Sequence, residues 1–117
     1  MLLKNNAPSD DDINEFLSLI KFRLPEGFIE FYRETNGADI STVENYYILW
    51  PITEMIMLNK DYEVEEFAPR FFLFGSNGGG TAFAIDKETS HIFELPFIGM
   101  SNEDAEFRCT RFSDFIK

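Results

Sequence analysis

The sequence predicts an α+β fold, a mainly antiparallel sheet of at least four strands with helices packed around it. Three observations lead there. The run Phe71-Phe72-Leu73-Phe74 is apolar at every position, the mark of a short strand buried on both faces. Behind it, Gly75-Ser76-Asn77-Gly78-Gly79-Gly80 lets the backbone reverse, after which Thr81, Phe83 and Ile85 alternate with Ala82, Ala84 and Asp86; the whole stretch reads as a central β-hairpin. Upstream of it, apolar residues recur at helical spacing.

The first helix is expected from about Asp10 to Lys21. Ser9 and Asp12 have the spacing of a capping box, Asp10 to Asp12 complement the helix dipole, and Ile13, Phe16, Leu17 and Ile20 share one face. Leu24-Pro25-Glu26 is expected to open a second helix, with Phe28, Phe31 and Tyr32 inward and Thr35-Asn36-Gly37 as its stop near Glu34. Tyr46 to Trp50 is β-prone and closed by Pro51. Thr53 is expected to cap a third helix through Ile56, Met57 and Lys60, followed by an acidic connection from Asp61 to Glu66. After the hairpin, Asp86 to Ser90 forms a turn and His91, Phe93 and Leu95 mark the next antiparallel strand. Phe107 and Cys109 suggest a closing strand or loop, and Phe112, Phe115 and Ile116 a short terminal helix with Ser113 or Thr110 near its start.

At 117 residues the chain is expected to be one domain, 1–117, with 1–8 as a polar N-terminal lead-in. Fourteen phenylalanines supply the core. A single cysteine, Cys109, excludes an internal disulfide, and the start Met1-Leu2-Leu3-Lys4-Asn5-Asn6 is too short in apolar residues for a signal peptide. No apolar run reaches the roughly 20 residues of a membrane span, so a cytoplasmic location is expected. The formal charge of −11 repels nucleic-acid phosphates and anionic membranes. An electrostatically steered partner should therefore be basic.

Several chemistries fail on spacing. Gly75 and Gly80 fit a phosphate-binding loop, but Thr81 stands where its lysine belongs and Ala82 where its magnesium-binding hydroxyl belongs. Asp10, Asp12 and Asn14 resemble the opening of a calcium loop, yet Glu15 replaces the required glycine and Lys21 the closing glutamate. His91 has no cysteine or histidine partner at zinc spacing, nothing local supports a Cys109–His91 nucleophile pair, and no Gly-x-Ser-x-Gly elbow occurs. No catalytic, metal or cofactor residue is assigned.

The ordered set of Leu24-Pro25 with Phe28 and Phe31, Asn36-Gly37, Phe74-Gly75 with Gly78-Gly79-Gly80 and Ile85-Asp86, and terminal Phe112-Ser113-Asp114-Phe115-Ile116 resembles the SUKH superfamily. That superfamily includes fungal cell-wall assembly regulators and bacterial toxin-immunity proteins, and the resemblance covers about residues 10 to 117. It implies an α+β fold, no catalysis and, in the bacterial branch, neutralisation of a cognate toxin, often a nuclease. The expected function is thus a non-enzymatic immunity protein whose acidic surface binds a basic toxin encoded nearby. Asp61, Glu63, Glu65 and Glu66 are the first candidate contacts from charge density, with Asp39 and Glu44 as a second cluster. The alternatives are a regulatory or interaction scaffold without a toxin, and a small hydrolase built on His91 or clustered carboxylates.

Overall fold

The computed structural model describes residues 2–116, and for 2–4 the backbone alone. Seven strands, β1 (Leu2–Lys4), β2 (Ala38–Ser41), β3 (Tyr46–Leu49), β4 (Phe71–Ser76), β5 (Thr81–Asp86), β6 (Ile92–Pro96) and β7 (Glu106–Cys109), form one sheet in the order β1-β2-β3-β4-β5-β6-β7. Each adjacent pair is antiparallel. Helices α1 (Asp10–Leu19), α2 (Phe28–Glu34), α3 (Ile52–Asp61), α4 (Val64–Phe67) and α5 (Phe112–Phe115) complete an α+β architecture, as expected.

The glycine-linked hairpin is the centre of the sheet. Phe71 to Gly75 on β4 and Ala82 to Asp86 on β5 are all buried, and the register runs from Phe71 opposite Asp86 to Ser76 opposite Ala82. It shifts once, between Leu73 and Gly75. Gly75 is needed there because a Cβ would lie 2.4 Å from the Ile48 carbonyl oxygen, so any side chain would push β3 away. In the turn, Ser76 Oγ accepts from the Gly78 amide (3.2 Å) and Asn77 Oδ1 from those of Gly79 (2.8 Å) and Thr81 (3.2 Å). Amides that an anion would have needed thus serve the turn itself.

An aromatic cluster joins the helices to the sheet. Phe28, fully buried on α2, has ring neighbours in Phe16 of α1, Tyr32, Phe74 of β4 and Phe112 of α5 at 4.8 to 6.5 Å. Phe115 closes over Phe74 and Phe83 at 5.4 and 4.9 Å. Eight of the fourteen phenylalanines are buried; at roughly 1.5–3 kcal/mol each, this set dominates the hydrophobic contribution to folding.

At the first helix, Ser9 Oγ accepts from the Asp12 amide and Asp12 Oδ2 from the Ser9 amide, the reciprocal capping box expected. Other boundaries differ. The helix ends at Leu19, short of Lys21. Pro25 does not open α2: Pro25-Glu26-Gly27 is a turn, with Gly27 at φ +92° as N-cap, and the Phe112 amide binds the Glu26 carbonyl at 2.9 Å. Docking of α5 overrides the helix-opening preference of proline. The connection from Gly37 to Tyr46 contains β2, and the lead-in contains β1, which pairs with it from Leu2 opposite Ile40 to Lys4 opposite Ala38. Thr53 does not cap α3; Asn36 Oδ1 accepts from the Ile52 amide at 2.6 Å, while Asn36 Nδ2 donates to Thr53 Oγ1. Residues 61–66 form no simple connection, since α3 runs to Asp61 and α4 starts at Val64. The start of α5 falls at Arg111, which makes no side-chain cap.

Candidate functional site

The acidic corner is built by one left-handed residue. After α3 the chain reverses at Glu63 (φ +56°), whose carbonyl accepts from the amides of Glu66 and Phe67 and whose amide donates to the Lys60 carbonyl at 3.0 Å. Buried Val64 anchors α4, so Glu63, Glu65 and Glu66 stay at the surface, with exposed Asp61 at the end of α3.

Three of these four carboxylates share a groove of about 680 Å³. Its walls are apolar: Leu19, Ile20 and Phe22 at the end of α1, Ile56 of α3, and Phe71 and Phe72 of β4. Leu19 lies off the apolar stripe of α1 and is 56% exposed. Glu63, Glu65 and Glu66 line the groove, as do Lys21, Lys60 and Lys87. Lys87 Nζ binds Glu65 Oε2 at 2.8 Å. Asp61 lies outside the lining, and the second expected cluster is elsewhere: Asp39 is on β2, where its carboxylate accepts from Tyr46 Oη at 3.5 Å, and Glu44 is in the β2–β3 turn.

Around the same corner, Met57, Tyr62 and Phe67 are half exposed. Tyr62 lies between Trp50 (5.9 Å, nearly parallel) and Phe97 (4.8 Å), so its ring is held rigidly at the surface. Rigid aromatics beside carboxylates and an apolar hollow have the composition of a protein-binding patch. Charge density in the sequence pointed to the glutamates. It did not reveal the groove, because Leu19, Phe22, Ile56 and Phe72 come from α1, the loop after it, α3 and β4.

The remaining reactive side chains lie away from this groove. His91 borders a cleft with Arg23, Glu26, Ser90 and Arg111, and its ring lies 5.8 Å from Phe107. Ser90 Oγ donates to the Arg23 carbonyl at 2.6 Å, and Cys109 Sγ donates to that of Arg111. Burial pushes the Cys109 thiol up, outweighing the downward pull of Arg108, which is the direction opposite to activation. Among the described residues, no hydrogen bond joins the His91 ring to either nucleophile, and no three His, Cys, Asp or Glu side chains form a metal-binding group. Among the described residues, no helix is long and apolar enough to cross a membrane.

No curated protein matches the chain. The family model described as SMI1 / KNR4 family (SUKH-1) matches residues 7–117, a span that takes in all five helices and six of the seven strands. With the antiparallel sheet, the glycine turn and the terminal Phe112 and Phe115 lying where the resemblance required them, the chain belongs to the SMI1/KNR4 family, SUKH-1.

Proposed function

We propose that this protein is a non-enzymatic immunity protein that binds and neutralises a cognate toxin, with the α3–α4 corner as its contact surface. The observation that carries the reading is the convergence of Glu63, Glu65 and Glu66 on one groove with apolar walls, with exposed Tyr62 and Phe67 next to them in the chain, in a protein of net charge −11. Aromatic anchors supply affinity, and carboxylates steer a basic partner and hold it in register. A nuclease is the toxin class best matched, since carboxylates imitate the phosphates its basic site binds. Family membership is consistent with an immunity role and with a regulatory one.

The test is co-expression with the neighbouring toxin gene, read as growth rescue, followed by association kinetics. Reversing Glu63, Glu65 and Glu66 to Lys should slow association about tenfold or more and flatten its salt dependence. Unchanged rates and salt slope would remove this corner from the interface. An interaction scaffold without a toxin is the rival within the family, favoured by exposed apolar side chains far along the chain, Ile98 and Phe107. Absence of a toxin gene upstream would select it.

A further inference from the structure

Strand β7 ends the sheet and has a neighbouring strand on one side only. Its Glu106 stands directly opposite Glu94 of β6, a like-charge pair that opposes strand pairing. The nearby cation, Arg108, is taken up by Glu94 at 2.8 Å and by Tyr47 Oη at 3.2 Å. Among the described residues Glu106 makes no ion pair. From this unanswered carboxylate on an open edge we infer that β7 pairs antiparallel with β7 of a second copy of this chain, about a two-fold axis at Phe107. The pairing holds for an immunity protein and for a regulatory scaffold alike.

The edge itself specifies its occupant. Glu106 and Arg108 lie on the face of Glu94 and Phe83, with Arg108 5.6 Å from the Phe83 ring. Phe107 points to the other face, where it ends a row of rings: Phe71 to Phe93 at 5.2 Å and Phe93 to Phe107 at 5.6 Å. A strand docked on this edge needs a cation opposite Glu106, an apolar ring opposite Phe107 and an anion opposite Arg108. Read antiparallel, that is Glu-Phe-Arg, the sequence of β7 itself. Opposed side chains share a face, so a two-fold axis must pass through a residue. Centred on Glu106 or Arg108, like charges would meet; centred on Phe107, Glu106 of each copy meets Arg108 of the other. The two Phe107 rings then cover one another, each being 55% exposed in the single chain. Arg108 is an extra residue in β7, because the register passes from Phe107–Phe93 to Cys109–Ile92. Such a bulge twists an edge and keeps the new ladder short, so the association is weak, on the order of 0.1 mM.

Sedimentation velocity of the full chain from about 10 µM to about 1 mM should show monomer passing to dimer. E106R sets arginines against each other across the axis and removes the like-charge pair with Glu94. It should weaken dimerisation about tenfold or more while the melting temperature stays level or rises. Cross-linking reads the register. In a C109S background, F107C places two thiols directly opposite, within the roughly 4.4–6.8 Å between Cα atoms that a disulfide spans, whereas E106C offsets them by two residues along the strands. Mild oxidation with diamide should therefore link F107C/C109S into a dimer and E106C/C109S far less. A monomer at about 1 mM, undiminished dimerisation of E106R, or equal cross-linking of the two cysteine variants would each overturn the proposal.

Discussion

Asp86 is a charge inside the core, with its side chain wholly buried at the end of β5. Burial pushes its carboxyl up, but Arg70 donates to both oxygens at 2.8 to 3.0 Å, and the Glu88 amide and Thr89 hydroxyl add to it, so the group is held below its usual value of 3.8. Being depressed in the folded state, it contributes stability above the unfolded value, and that contribution is lost as pH falls through the lower folded value. Removing Arg70 leaves the buried carboxylate uncompensated. R70A should therefore destabilise the fold at pH 7, because the Asp86 carboxylate stays buried while its partner is lost. Urea melts across pH should show that deficit shrinking in acid; a constant deficit would mean that the pair is not its source. None of this was visible in the chain, where Ile85-Asp86 reads only as the end of a strand. Arg70 and Asp86 become neighbours because β4 and β5 pair antiparallel.

Among the elements, α3 takes its cap from another segment and lends a side chain to the sheet. Asn36, from the loop after α2, caps its first amide, and Asn59 on its inner face closes the ladder of β4 by accepting from the Leu73 amide (2.8 Å) and donating to the Leu73 carbonyl (2.9 Å). N36A should cost about 1 kcal/mol, as loss of an N-cap does, and T53A less. N59A should cost about 2–3 kcal/mol, because both backbone groups of fully buried Leu73 lose a partner. Denaturant melts decide the order, and T53A costing more than N36A would restore the local cap. A sequence window finds caps that lie beside their helix, as with Ser9 and Asp12 in α1; it cannot find a cap supplied from 16 residues away. The same limit hid β1 and β2. With three and four residues they are too short to display alternation, and only their pairing with each other and with β3 makes them strands. The longer hairpin of β4 and β5 carried its own signature.

For the whole molecule, the phenylalanine-rich core and the α+β class were legible because burial leaves a composition and a period. The candidate site was legible only in its charge. The net charge of −11 also acts on the fold, since like charges oppose compaction. Raising ionic strength from about 0.01 to 0.15 M shortens the screening length from roughly 30 to 8 Å, so the melting temperature should rise by a few degrees. A falling melting temperature would mean that attractive pairs such as Arg70–Asp86 and Lys87–Glu65 outweigh the repulsion. Because each strand docks on the one preceding it, the sheet can be assembled progressively while the polypeptide is being synthesised. Its aromatic layer cannot: Phe28, Phe74 and Phe83 wait uncovered until Phe112 and Phe115 have emerged. Closure of the core is therefore deferred to the docking of α5, which makes that short helix the last seal on the aromatic layer.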